Sequence, residues 1–193
     1  MNDITPPDRK RWRHEEIAQL LGSLVIKTCG AFLEAPATWT CPACRRSKAQ
    51  IVAPGRNVNV VARVVRHHDH IENLIGQLLS GGAVLSADER RQRHDLGEEM
   101  CRRFCRFEAI DVCEACNTVD AAAKAIVQAP RWFSFSPHGI GSMIKAPQPY
   151  AVRHEIDRCH LDLIWNRVSV EIEGLEARIC RAIDEAMREA KHG

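Results

Sequence analysis

The chain reads as an α+β protein: a small, zinc-stapled β core embedded in a mostly helical chain, with a long C-terminal helical region. Three observations predict this. Two Cys-x-x-Cys pairs, Cys41/Cys44 and Cys113/Cys116, stand far apart; a valine-rich run ends in His67-His68-Asp69-His70; and much of the remainder spaces its apolar residues as helices do. Zinc takes four thiolates in a tetrahedron, so two such pairs can supply one site and staple two distant segments together. Because Asn117 follows Cys116 directly, the same staple fixes where that amide points.

The elements follow in order. From about His14 to Leu33 the pattern predicts an amphipathic helix with Ile17, Leu20, Leu21, Leu24 and Val25 on its apolar side, ended by Pro36. Asn57 to Ile71 carries Val58, Val60, Val61, Val64 and Val65 and predicts one buried strand with the histidines at its C-terminal end. Glu72 to Leu79 predicts a short helix stopped by Gly81-Gly82. The next begins at the capping box Ser86-Ala-Asp-Glu89 and runs to about Cys105. Thr118 to Gln128 is alanine-rich and helical, and Pro130 breaks it. Trp132, Phe133 and Phe135 form the densest aromatic cluster, and Ser136-Pro137 supplies a cap with proline at the first helical position. From about Tyr150 to Lys191 the chain reads as helix, and Leu161, Trp165, Val168, Ile172, Leu175, Ile179, Ala182 and Ala186 take the four- and three-residue steps of a seam, either between two copies, the reading preferred, or against the chain's own domain.

Composition bounds the rest. With 193 residues and only 5% aromatics the core is thin, and a structural metal would compensate by contributing directly to folding free energy. The net charge of +2 is nearly balanced, yet arginine clusters around the motifs. Arg45, Arg46 and Lys48 follow the first cysteine pair, Arg56, Arg63 and Arg66 flank the valine run, and Arg90, Arg91, Arg93, Arg102, Arg103 and Arg106 precede the second pair. Arginine grips phosphate with a planar fork, so these clusters suit a nucleic-acid backbone; solvated, locally paired helix faces are the bland alternative. The charged start MNDITPPDRKRWR lacks a secretory apolar run, so the nine cysteines are expected in a reducing, cytoplasmic setting. Cys29, Cys101, Cys105, Cys159 and Cys180 are expected as buried helical thiols. The apolar run Ile17 to Ile26 is too short to span a bilayer.

The stretch HHDH, with CxxC before it and CxxCN after it, resembles the HNH or His-Me finger (ββα-metal) endonucleases, most closely the phage recombination endonuclease VII family. The resemblance covers roughly Trp39 to Lys124. It implies that His67 stands where the family has a metal-binding aspartate, that His68 is the general base, and that Asn117 and Asp120 serve a catalytic Mg2+ or Mn2+ ion beside the structural Zn2+. Lys124 matches a lysine of the family, and with Arg45, Arg46, Lys48 and Arg66 it is expected to meet the phosphate backbone. A shifted register, in which Asp69 ligates and His70 is the base, places ligand and base in the same relative arrangement, because His67 and Asp69 share one strand face and His68 and His70 the other. The sequence departs from the family at His67, in the long insertion between the motifs, and in AIDVC before the second pair. Asn73 is a weak candidate for the middle asparagine.

The implied domains are an N-terminal helical segment (1–36), a zinc-bound nuclease domain (37–129) with a helical insertion at about 72–106, and a C-terminal helical region (130–193). The implied function is hydrolysis of DNA phosphodiesters by a histidine-activated water, in a homodimer joined through the C-terminal helix. A zinc-stabilised DNA-binding or adaptor protein without cleavage, and an RNA-directed nuclease toxin, are the readings from other classes.

Overall fold

The computed structural model describes residues 22, 26–55, 59–80 and 86–190. The expected first helix falls largely outside them, including Ile17, Leu20, Leu21, Leu24 and Val25. Its described end is not helical. Ile26–Thr28 is a strand, β1, and only Gly30–Glu34 forms a helix, α1, which stops at Ala35 before Pro36. Tertiary pairing decides this: β1 lies parallel to β3 (Val60–Ala62), with Ile26 opposite Val60 and Thr28 opposite Ala62. The short β2 (Ala53–Pro54) covers the other side of β3, its proline sitting on an edge strand where no ladder N–H is needed.

The valine run does not form one strand. It breaks at Arg63, and β4 (Val64–His67) leaves the first sheet to pair antiparallel with β5 (Ile110–Cys113), placing Val64 opposite Cys113 and His67 opposite Ile110. Ile71 already opens the next helix, α2 (Ile71–Ser80), which buries Ile71, Leu74, Ile75 and Leu79. Helix α3 (Ala87–Phe104) follows, with its capping box formed as expected: Ser86 Oγ accepts from Glu89 N and the Glu89 carboxylate accepts from Ser86 N. Arg93 reaches back and donates to the Leu79 carbonyl, tying the last turn of α2 to α3. These two helices lie between β4 and β5, and beyond them β5 runs directly into α4 (Glu114–Val127). The two-stranded ladder and the helix that follows it are thus contiguous in space although β4 and β5 are far apart in sequence.

Helix α4 starts four residues earlier than the sequence pattern predicts. Cys113 is its N-cap, so Cys116 and Asn117 lie within the first turns of the helix and Asn117 does not cap it. The helix ends in the left-handed residue Gln128, two residues before Pro130. Helix α5 (Pro137–Ser142) has the predicted Ser136 cap, whose oxygen accepts from Gly139 N at 3.1 Å.

The C-terminal region is a hairpin of two helices. Residues 143–157 form an irregular loop with turns and bends, Ile144 bridged to Ile156 and Tyr150 left-handed, before α6 (Arg158–Ile172) begins at its Asp157 cap. Gly174, at φ 67°, turns the chain into α7 (Leu175–Glu189), a conformation glycine adopts without a Cβ clash. Of the seam residues, Leu161, Ile172, Leu175, Ile179 and Ala182 are buried in the chain's own core, as the second of the two alternatives expects, while Trp165, Val168 and Ala186 are half-buried. Helix α6 packs on α4 and α5, and α7 packs on α2 and α3. Phe133, Phe135 and Trp165 meet edge to face, with centroids 4.8, 5.3 and 6.2 Å apart. Buried apolar residues from Phe32 to Ile183 form one continuous cluster. Among the described residues no helix is long and apolar enough to cross a membrane.

Helix α5 rests closely on the first cysteine knuckle. A Cβ built on Gly141 would stand 2.4 Å from the Ala43 carbonyl oxygen, a main-chain atom that cannot swing aside. Gly141→Ala is therefore expected to lower stability by about 1–3 kcal/mol through overpacking, measured by chemical denaturation in saturating zinc.

Candidate functional site

The two cysteine pairs do come together. Cys41 and Cys44 sit in a tight turn in which Cys41 N donates to Arg46 O and Arg45 N donates to Cys41 O, both at 2.9 Å, with Arg45 left-handed at φ 62°. The second pair straddles the β5–α4 junction, so one thiol is fixed by a strand end and the other by a helix turn. All four sulfurs are buried within 4.8 Å of one another, Cys41 to Cys116 at 3.7 Å and Cys44 to Cys113 at 3.8 Å. A tetrahedral zinc ion with bonds of about 2.3 Å requires sulfurs about 3.8 Å apart, so the set fits. Cys113 N also donates to Cys41 Sγ at 3.4 Å.

Crowding four thiols together moves their protons. Cys41 is lowered to about 7 and Cys44 is lowered as well, each chiefly by its hydrogen bond with Cys113, whereas Cys116 is pushed up, chiefly by that same neighbour. The other five cysteines are not the buried thiols expected. Cys159 is exposed, Cys29, Cys101, Cys105 and Cys180 are half-buried, and Cys29 caps α1 and donates to Val64 O.

Two of the cations expected on nucleic acid serve the interior. Arg46 is 3% exposed and donates to the sulfurs of Cys44 and Cys113. Lys48 is buried, donates to Ala35 O at 2.6 Å and lies over the Phe32 ring. Arg45 stays exposed, as does Arg66, which pairs with Asp111 across the ladder.

The histidine cluster keeps the alternation expected of a strand end even though β4 stops at His67. His67 and Asp69 are each 2% exposed, while His68 and His70 turn outward with their rings 5.1 Å apart. His67 stacks on Phe107, and its Nε2–H donates to the Phe135 carbonyl at 2.8 Å. In the neutral ring this leaves Nδ1 as a bare lone pair, and it faces the Asn117 amide, 3.2 Å from Oδ1. Two facing acceptors are reconciled by the amide turning its NH2 inward, by a second proton on the ring, or by a cation held between them. Cis ligands of an octahedral ion with bonds of about 2.1 Å lie about 3.0 Å apart, and a ligating histidine ordinarily donates its other N–H to a carbonyl, so the pair fits a divalent ion.

Asp69 and Asp120 have other partners. Asp69 Oδ2 accepts from Arg106 N at 2.9 Å and Nε at 3.0 Å, and its Oδ1 accepts from Arg106 Nη2 at 3.0 Å, a buried two-point pair. Asp120 Oδ1 accepts from Phe135 N at 2.7 Å and Oδ2 pairs with Lys124 Nζ at 2.8 Å. Lys124 also donates to His70 Nδ1 at 3.3 Å. His70 therefore accepts at one nitrogen and makes a main-chain hydrogen bond with Arg131. Burial, and then the Lys124 charge, lower its pKa below 6.5. His68 lies beside His70, and its Nε2 is 3.3 Å from Nδ2 of the exposed Asn73.

Two positioning groups escape a reading of motifs. Arg106, counted above with the phosphate-binding clusters, clamps Asp69, donates to Ser134 O and lies 4.4 Å over the Phe133 ring. Phe135 holds His67 with its carbonyl and Asp120 with its N–H. It acts through the main chain, so no side-chain motif could announce it; only its place in the aromatic cluster was visible.

Two outcomes follow. Because protons compete with zinc for thiolates and Cys41 sits at about 7, zinc occupancy is expected to fall as pH drops below 7, read with a colorimetric zinc reporter. In an NMR pH titration His70 is expected to titrate below 6.5, and to move up in Lys124→Met as the neighbouring charge is removed. Comparison of the chain with protein-family models, with curated proteins and with solved structures finds no match.

Proposed function

We propose that the chain is a metal-dependent DNA endonuclease of the His-Me finger type, as the resemblance of its motifs implies. The observation that carries this reading is the approach of His67 Nδ1 to Asn117 Oδ1, 3.2 Å apart where the end of β4 meets the start of α4. The order β4, β5, α4 has the ββα sequence of elements that such a site needs, with α2 and α3 inserted between the strands.

In this reading His67 and Asn117 would hold a divalent ion, which supplies charge neutralisation at the phosphate and at the leaving oxygen. His68 is the base. If the Asn73 amide turns to accept from Nε2–H, the Nδ1 lone pair is free to take a proton from water, and Asn73 then fills the orienting role that the middle asparagine has in the resembled family. His70 is unsuited to that task because Lys124 donates to its Nδ1 and its other nitrogen carries the proton. It steadies the Lys124 ammonium, which with exposed Arg66 and Arg45 offers positive charge to the backbone. Asp69 and Asp120 act as anchors: Asp69 locks the strand end to Arg106, and Asp120 orients Lys124.

One observation favours a second reading, a zinc-stabilised adaptor without cleavage. His67 is 2% exposed, and an inward-turned Asn117 amide would close its hydrogen bonds with no ion.

Cleavage of supercoiled plasmid and of a four-way junction in magnesium or manganese separates the two. The nuclease reading expects His68→Ala to lower the rate by about a hundredfold or more and Asn117→Ala to raise the metal concentration required, with zinc content unchanged, while His70→Gln retains more activity than His68→Ala. Absence of cutting by wild-type protein that holds zinc and binds DNA would favour the adaptor.

A further inference from the structure

The loop between α5 and α6, residues 143–157, is fastened to the first cysteine knuckle and the turn after it by contacts of different kinds. Arg46 Nη1 donates to the carbonyls of Gln148 at 3.2 Å and Ala151 at 2.9 Å. Tyr150 N donates to Gln50 O at 2.8 Å. Gly141, just ahead of the segment, presses against Ala43. His154 stands close enough to Cys44 to lower its thiol, and both its ring nitrogens are buried without a hydrogen-bond partner.

The other two corners of the Arg46 guanidinium complete the picture. Nε donates to Cys44 Sγ at 3.4 Å and Nη2 to Cys113 Sγ at 3.3 Å, one sulfur from each knuckle. A zinc ion on four thiolates carries a net charge of about −2, and Arg46 is the buried guanidinium in contact with it. A planar fork spans both sulfurs only while the knuckles are closed. In a thin core, a bound ion is what holds four sulfurs at that separation.

We propose that the zinc site is a latch for the 143–157 strap: the bound ion closes the two knuckles, the closed knuckles seat Arg46, and Arg46 holds the strap, so that loss of zinc frees the strap before the rest of the fold. The strap leads into α6, whose Trp165 packs against Phe133 and Phe135. Phe135 in turn holds His67 and Asp120. Zinc occupancy therefore sets the packing behind the histidine cluster through the C-terminal region as well as through α4. The inference rests on the sulfur cluster and its contacts and stands whether or not the chain cuts DNA.

Limited trypsin proteolysis of the full chain, with fragments assigned by mass spectrometry, tests it. Lys145 and Arg153 are exposed tryptic sites within the strap, and Arg66 and Lys124 report on β4 and α4. Removing zinc with a chelator is expected to speed cleavage after Lys145 and Arg153 by about tenfold or more, with Arg66 and Lys124 uncut on the same timescale. Arg46→Lys, which keeps the charge and loses the fork, is expected to expose the same two sites while its zinc content stays unchanged. Unaltered strap cleavage after zinc removal would overturn the latch. So would simultaneous cleavage at all four sites, since zinc would then hold the whole fold and not the strap.

Discussion

Four cysteine sulfurs gathered within 4.8 Å of one another are the constraint that positions the candidate site and the segments around it. They join a tight turn after α1 to the junction of β5 and α4. That junction sets the direction of α4 and with it Asn117, Asp120 and Lys124, while the ladder between β4 and β5 carries His67 to the same place. In a chain with so few aromatic residues, a metal that binds only the closed arrangement contributes stability that apolar burial alone would supply poorly.

Around this staple the interior is organised by charge as much as by packing. Arg46 reaches one sulfur of each knuckle, Arg106 grips Asp69 at two points, and Lys124 pairs with Asp120. In each case at least one partner also hydrogen-bonds to main chain, the condition under which burying a charged group is tolerated. The Ser134 and Phe135 main chain is the shared partner: it receives Arg106 and His67 at its carbonyls and gives its N–H to Asp120. The aromatic trio behind it holds that segment in place. The four histidine-cluster residues are thereby sorted into two that lock the strand end and two that face outward.

Much of the local structure was legible in the chain itself. The Ser86 capping box, the Ser136-Pro137 start and the stop near Pro130 are governed by contacts within a few residues, so their residue types sufficed. The cysteine spacing likewise foretold a four-sulfur cluster. The failures lie where partners are distant. The amphipathic pattern around Ile26 was overruled by pairing with β3, the valine run was cut at Arg63 because its two halves serve different sheets, and the C-terminal helix was broken at Gly174 to fold back on its own core.

What the sequence determined alone was therefore the inventory and its parity: which cysteines gather, and that His67 and Asp69 share one face while His68 and His70 share the other, because a strand's period of two is a property of the backbone. What only tertiary structure decided was how each charged group is used. Arg46 and Lys48 read as surface cations in the chain and became interior donors, exposed Arg106 reaches in to clamp a buried carboxylate, and Asp69 read as a possible ligand and became an anchor. A charged side chain's role depends on the dielectric around it and on the partners that compensate its burial, and both are set by segments far away in sequence.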